Sequence, residues 1–365
     1  MQLEINREVL LSALQRVIGA IERKQTDSSL SNILLQSDNG VLRIVGTDTE
    51  LEIITKTDIH FEDDSAITVP GKKLFEICRS AFPDTNLIIE DDQSQVRVKS
   101  GKSRFMLSTS SVENFPLMGS IEFVSSLTIS ENSLKFLLEK VSFSMANQDV
   151  RYFLNGCLLE FDQGCLKCVA TDGHRLALSY CDVDLQTNPY QVILTRKTIL
   201  ELQRLLSDDE ALAEIVLGER HFCLNTSRFN MTSKIIDGRF PDYSKVIPKS
   251  NNKHVVINKD VLKKCLSRVS ILSSDRYQGV RLFFKDDLLI IRATNPEQES
   301  AEEEIDLEYR YEELEIAFNV NYLIDIVNII DYDSISFYLN DSNSSCLIRH
   351  PGNDFVSYVL MPMRL

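Results

Sequence analysis

The sequence predicts an α+β protein built from three copies of one unit, each holding two strand-helix-strands motifs. Three observations lead there. Ile5, Leu10, Leu14 and Val17 recur as Ile129, Leu134, Leu138 and Val141, and again as Ile257, Leu262, Leu266 and Val269. This is one strand residue followed by apolar positions at helical spacing, at a period of roughly 124 residues. After each such helix come apolar-alternating strands that end in a small polar pair, Thr47-Asp48, Thr171-Asp172 and Thr294-Asn295. A second helix in each unit aligns through Leu74, Ile199 and Leu323, and the first two units also share Ser103-Arg104-Phe105 with Ser227-Arg228-Phe229 and Phe115-Pro116 with Phe240-Pro241.

In order, each unit reads strand, helix, two or three strands, then strand, second helix and further strands. The strands pair into sheets, and each helix buries one stripe against them. We place the three domains at residues 1–120, 127–246 and 253–365. A length of 365 residues accommodates three such cores, and 43% hydrophobic with 25% charged residues is the composition of a soluble globular chain. No apolar run approaches the roughly 18 residues that span a bilayer. The start, Met1-Gln2-Leu3-Glu4-Ile5, lacks a basic stretch leading into an apolar one, so no secretory signal is expected and the expected location is cytoplasmic. Cys165 and Cys168 form a CxxC without a second pair or nearby histidines, which favours two strand residues over a zinc site; no metal or cofactor is expected.

The net charge of −15 argues against loose attraction to nucleic acid, but the charges are sorted. The predicted helices hold Lys72, Lys73, Arg79, Arg196, Lys197, Arg204, Lys259, Lys263, Lys264 and Arg268, and are the basic part of an acidic chain. Sheets in an arc of equal units leave edges at the two ends. Arg97, Lys99, Lys102 and Arg104 lie in strands of the first unit, whereas Glu297, Glu299, Glu302, Glu303 and Glu304 lie near the edge of the third. Either these signs pair between two copies, head to tail, or the glutamates are a solvated face.

Asp172, His174 and Arg175 form the one catalytic-looking cluster. Five histidines without metal-ligand spacing, and no nucleophile elbow, P-loop or dinucleotide fingerprint, leave it without partners. Asp172 is more simply the second copy of the Asp48 turn. The stretch Gln148-Asp149-Val150-Arg151-Tyr152-Phe153 suits either phosphate contact with base stacking, or strand packing by its two aromatics. The apolar C-terminus, Tyr358 to Leu365, is expected to join a sheet or line a groove.

These marks together resemble the bacterial sliding clamps, the beta subunit of DNA polymerase III. The resemblance spans the chain. It rests on Phe143 to Ala146 with Gln148 to Tyr152, on Ala170 to Ala177, on Asp237 to Tyr243, on Asn295 to Glu299 and on Met361 to Leu365, in that order. It implies a homodimer of two three-domain crescents closed head to tail around duplex DNA, with helices lining the hole and sheets outside. It implies a processivity factor without chemistry of its own that slides on DNA and tethers the replicative polymerase, the clamp loader and repair proteins through short peptides. Matched by motif, the peptide groove comprises Leu154, Thr171, Gly173, His174, Arg175, Leu176, Pro241, Val246, Val359, Leu360, Met361 and Pro362, with Arg151, Asn319, Tyr322, Ser345, Met363 and Arg364 beside it. Lys24, Lys72, Gln148, Tyr152, Arg196 and Lys197 are implied near DNA. The polar stretch Gln25 to Leu30 departs from the family's apolar, proline-containing one, and Phe153 stands where a second tyrosine is common. A hydrolase using Asp172 and His174, and a peptide-binding scaffold that never encircles DNA, are the rival readings.

Overall fold

The structure, a computed structural model, describes residues 2–21, 29–38, 40–60, 65–92, 95–119, 123–184, 189–273 and 278–364. Lys24 and most of the polar stretch after it lie outside the described residues. The first repeat runs β1 (Gln2–Asn6), α1 (Arg7–Val17), β2 (Asn32–Asp38), β3 (Val41–Thr47), β4 (Leu51–His60), β5 (Ala66–Pro70), α2 (Gly71–Ser80), β6 (Asn86–Asp92), β7 (Gln95–Ser100) and β8 (Ser103–Ser108). The second runs β9 (Phe123–Ser130), α3 (Glu131–Ser142), β10 (Gly156–Asp162), β11 (Cys165–Thr171), β12 (Arg175–Asp182), β13 (Tyr190–Thr195), α4 (Arg196–Leu205), β14 (Leu212–Gly218), β15 (His221–Asn225) and β16 (Asn230–Lys234). The third runs β17 (Lys253–Asn258), α5 (Lys259–Val269), β18 (Gly279–Lys285), β19 (Leu288–Thr294), β20 (Ser300–Asp306), β21 (Leu314–Asn319), α6 (Val320–Ile329), β22 (Ser334–Leu339), β23 (Cys346–His350) and β24 (Asn353–Leu360). Each repeat is thus a strand, a helix and three strands, twice over, as the periodicity predicts.

Every apolar residue that marked the strand and helices of the repeat is in the core, from Ile5, Leu10, Leu14 and Val17 to Ile257, Leu262, Leu266 and Val269, together with Leu74, Ile199 and Leu323. Asparagines begin three of the helices in the usual way: the Asn6, Asn258 and Asn319 side chains accept from the N–H groups of Glu8, Val261 and Asn321. Cys165 and Cys168 are two residues of strand β11, and Tyr358 to Leu360 lie on β24, inside a sheet.

By its contacts the chain divides into two compact units, one of residues 1–132 with 204–235, the other of 133–203 with 236–365. The first unit holds a four-stranded sheet, β1-β6-β7-β8, and an eight-stranded one, β5-β2-β3-β4-β16-β15-β14-β9. The second holds a four-stranded sheet, β20-β19-β18-β21, and an eight-stranded one, β13-β10-β11-β12-β24-β23-β22-β17. Each eight-stranded sheet joins four strands of one repeat to four of the next, through β4 with β16 (Ile53 opposite Met231) and β12 with β24 (Leu176 opposite Val359).

Several bases on the helices are spent inside the protein. Arg7 donates to the carbonyls of Cys78 and Arg79 at the end of α2, and Arg204 to those of Gln15 and Arg16 at the end of α1. In the second unit Lys140 and Lys259 donate to the carbonyls of Ile329 and Ile330, which close α6. Cations at helix C-termini satisfy carbonyls that have no partner within the helix and oppose the negative end of its dipole. Lys72, Lys73, Lys263 and Lys264 stand on exposed faces.

Candidate functional site

Strand β11 ends in Thr171, and the turn after it is fastened by side chains. Thr171 Oγ1 accepts from the Gly173 N–H (3.1 Å) and donates to the Arg175 carbonyl (2.6 Å). Asp172 Oδ1 accepts from the N–H groups of His174 (2.9 Å) and Arg175 (3.0 Å). Gly173 has φ +89°, a left-handed conformation in which a side chain is strained, and a Cβ there would lie 3.1 Å from Arg151 Nη1. The turn aims β12 along β24, and the Met361 N–H donates to the His174 carbonyl (2.9 Å) just past the last paired residues.

Behind the turn lies a cavity of about 230 Å³, walled by Leu154, Thr171, Leu176, Val246, Val359 and Met361, with Arg151, Gly173, Arg175 and Pro241 around it. Its floor is a buried cluster in which Leu158, Val169, Ile193, Phe240 and Leu347 pack on Leu176 and Val359. Phe153 and Tyr243 complete the lining. Sequence reasoning omitted both, although the motifs it singled out contain them. Tyr152 to Leu154 form a 3-10 turn rather than a strand, which excludes strand packing for this pair; the turn half-buries Phe153 and leaves Tyr152 57% exposed.

The polar groups on this lining are engaged within the protein. Arg175 Nε donates to Asp172 Oδ2 (3.1 Å), its Nη1 to Asp325 Oδ2 on α6 (2.5 Å) and its Nη2 to the Phe143 carbonyl (2.9 Å), while its guanidinium lies over the Tyr322 ring at 4.4 Å. Burial pushes the Tyr322 phenol up, and the Asp172 carboxylate adds to this. Tyr243 donates its hydroxyl to Glu160 Oε1 (2.9 Å); burial and then that carboxylate's charge raise its pKa above the ordinary phenol value. Arg151 is clasped by Asp149, Nε to Oδ1 at 3.0 Å and Nη2 to Oδ2 at 2.8 Å, and also reaches the Asp172 carbonyl (3.2 Å). The clasp holds the Asp149 carboxyl down at about 2 and raises Arg151. What the cavity offers a ligand is therefore apolar surface; a leucine-sized side chain filling such a space gains roughly 1.5–3 kcal/mol.

Other residues of the expected groove fall around this cavity or away from it. His174 is exposed and its ring is stacked with Tyr322 at 6.4 Å, beside the cavity rather than in its wall. Asp172 spends its oxygens on the turn and on Arg175, so the two side chains do not form an acid-base pair. Leu360 is fully buried: strand alternation sends Val359 to the cavity face and Leu360 to the opposite one, leaving it no surface for a peptide. Asn319 caps α6, and the Ser345 carbonyl is held by Asn251 (2.9 Å). Pro362, Met363 and Arg364 continue past β24, where the Met363 N–H donates to the Ala317 carbonyl (2.7 Å). Asn319, Ser345, Pro362, Met363 and Arg364 do not line the cavity, nor does Tyr322.

The described residues expected near DNA are divided between the two units. Lys72 is exposed on α2 in the first unit. In the second unit Gln148 has φ +57° at an exposed bend and Tyr152 projects nearby in sequence. Arg196 and Lys197 are half-buried at the start of α4, where Arg196 donates to the Met145 carbonyl (3.3 Å).

The oppositely charged stretches reach edge strands only in part: Arg97 and Lys99 are on β7, which lies inside its sheet, and Glu297 and Glu299 precede β20. Arg104 is on β8 and Lys102 in the turn before it, at one end of the first unit's small sheet; Glu302, Glu303 and Glu304 are on β20, at one end of the second unit's. Several of these charges are already paired within the chain: Arg97 with Glu90 and Asp92, Lys99 with Glu90, Glu302 with Arg292, and Glu303 with Arg268. Glu299 accepts from Asn295, and Glu297 is exposed in the same turn.

Comparison with known proteins places this geometry in a family. The chain matches the N-terminal, central and C-terminal domains of the DNA polymerase III beta subunit over residues 1–119, 128–242 and 244–364. The beta sliding clamp of Pseudomonas putida is 46% identical over the full length of both chains. The crystal structure of the DNA polymerase III subunit beta from Pseudomonas aeruginosa is 44% identical, with a TM-score of 0.96 and full coverage of both chains. A sliding clamp from Bartonella birtlesii bound to griselimycin is 34% identical, again with a TM-score of 0.96 over both full chains. The chain belongs to the DNA polymerase III beta subunit family, the sliding clamps that serve as processivity factors in DNA replication.

Proposed function

We propose that the chain works as a non-catalytic, cytoplasmic homodimer whose two copies close head to tail around duplex DNA. In this reading the domains are residues 1–120, 127–246 and 253–365, each repeat giving one segment of the ring. The closing contact adds β8 of one copy to β20 of the other, with Lys102 and Arg104 facing the glutamates that include Glu297 and Glu304. Pairing of two edge strands removes the exposed backbone groups at both and closes the assembly. Lys24, Lys72, Gln148, Tyr152, Arg196 and Lys197 are assigned to the phosphates of the encircled duplex, contacts that position without reading sequence.

The partners are assigned to the cavity beside Gly173. Polymerase, clamp loader and repair proteins would each insert an apolar side chain of a short peptide there, with Arg151, His174, Tyr322, Met363 and Arg364 meeting the rest of the segment. The single observation that carries this assignment is the satisfied lining: Thr171, Arg175 and Tyr243 all spend their hydrogen bonds inside the protein, so the space selects by shape and apolarity. One anchor in one small pocket gives affinities weak enough for partners to exchange.

The test is retention on DNA. The protein is loaded on a nicked circular plasmid by its clamp loader with ATP, and bound protein is counted before and after one restriction cut. Retention on the circle with release after cutting is the expected result. Equal retention on both forms would mean ordinary affinity binding and end the ring reading.

A further inference from the structure

The apolar cavity has a fixed positive charge in its wall. Arg175 is only about 10% exposed, and its three nitrogens point to three different acceptors: Nε to Asp172, Nη2 to the Phe143 carbonyl and Nη1 to Asp325. Asp172 and Phe143 come from the turn and from the residues after α3, whereas Asp325 comes from α6 and does not line the cavity. The rings of Tyr322 and Phe143 lie at 4.4 and 5.2 Å from the guanidinium carbon and hold it in place. A guanidinium whose Nη1 lost its acceptor would present a fork of donors matched to a carboxylate, at the edge of a space open to ligand.

We infer that Asp325 sets the specificity of the cavity: by engaging Arg175 it denies that fork to an acidic side chain, so the cavity accepts neutral apolar ones. Asp325 is a positioning residue, acting through Arg175 without touching the ligand. Two carboxylates around one guanidinium leave the wall with an excess negative charge, which repels an incoming carboxylate. Rejection of the wrong ligand is built into the site by this pairing. The inference rests on the cavity being the peptide site, as proposed above.

The test uses the full chain with methyl-labelled Leu, Val and Met, followed by NMR. The probes are N-acetyl-leucinamide and the α-amide of N-acetyl-aspartic acid, whose side-chain carboxylate is free. The parent protein is expected to show shifts at Leu176, Val359 and Met361 with the leucine probe and weak ones with the aspartate probe. Asp325→Asn is expected to lower the ratio of leucine to aspartate affinity by about tenfold, with the change shrinking in high salt and reversed by Asp325→Glu. Asp325 is 44% exposed, and Asp325→Ser removes the same charge should the Asn variant fold poorly. A ratio within about twofold of the parent in both neutral variants, with the parent still taking the leucine probe, overturns the inference and leaves the cavity reading intact. No shift at these methyls in the parent overturns the cavity reading itself, and this inference with it.

Discussion

The turns that follow β3 and β11 are fastened alike and carry different strands behind them. In the first unit Thr47 Oγ1 accepts from the Thr49 N–H (3.0 Å), and Asp48 Oδ1 accepts from those of Glu50 (2.9 Å) and Leu51 (2.7 Å). The Lys234 N–H donates to the Glu50 carbonyl at 2.9 Å, as that of Met361 does to His174. Counting from these turns, Leu51 and Glu52 stand where the second unit has Arg175 and Leu176. Leu51 is buried, and the Glu52 carboxylate is buried too, accepting from the Met118 N–H (3.0 Å). Counting from Phe115-Pro116 and Phe240-Pro241, Met118 corresponds to Tyr243, which lines the cavity. One backbone thus supports a carboxylate held by the chain's own loop in one place and an apolar wall beside a cavity in the other. A duplicated turn keeps its Thr-Asp fastening because the backbone needs it, while the next two residues are left to diverge.

The comparison breaks most sharply at Arg175. Arg175→Ala leaves Asp172 without one partner, Asp325 without its guanidinium and the Phe143 carbonyl without a donor, and about 3 kcal/mol of stability should be lost. Urea unfolding followed by tyrosine fluorescence checks this; a loss below about 1 kcal/mol would show the network to be slack.

A second break exchanges the residues at the left-handed position. Gly173→Ala adds a Cβ at φ +89° and against Arg151, and should cost about 1–2 kcal/mol. Thr49 is a β-branched residue at φ 74°, so Thr49→Gly should relieve strain and stabilise by about 0.5 kcal/mol after the entropy cost of glycine. Thermal melts of the two variants should therefore move in opposite directions; a fall in both would mean that Thr49 is not strained.

The smallest effect, and the sharpest in kind, is the pH dependence of Glu52. Burial raises its pKa, with the Met118 N–H and Arg43 pulling the other way. A carboxyl raised on folding gives a contribution that is full below the unfolded value, near 4.3, and is lost as pH rises through the folded one. Glu52→Gln should remove that loss, so its advantage over the parent grows as pH climbs through this range and is constant above it. Unfolding midpoints that run parallel at every pH would contradict a raised carboxyl.

Much of this was legible in the sequence because it is periodic. Helical spacing placed Leu10, Leu14 and Val17 and their copies in the core, and the repeated Thr-Asp located both turns. The cavity was legible in part: ten of the residues matched by motif line it. Phe153 and Tyr243 escaped because both come from short 3-10 turns, where no period marks which side chain turns inward. Leu360 was misplaced although the two-residue alternation along β24 could have separated it from Val359. The splicing of strands from successive repeats into single sheets had no signal at all, since pairing between β4 and β16 joins residues far apart in the chain. Nor do residue types reveal that Arg7, Lys140, Arg204 and Lys259 close helix ends rather than await an external anion.

That splicing also sets a schedule for synthesis. Strand β4 emerges early, but Ile53 must wait for Met231 before its outer edge is covered. At about 5–20 residues per second, the wait is roughly ten to thirty-five seconds, during which the nascent chain carries a bare row of backbone donors and acceptors. Lys56 on that strand is exposed and makes the edge less welcoming to a stray strand. Translation speed, rather than the strength of the finished sheet, sets how long that edge stands open to a wrong neighbour.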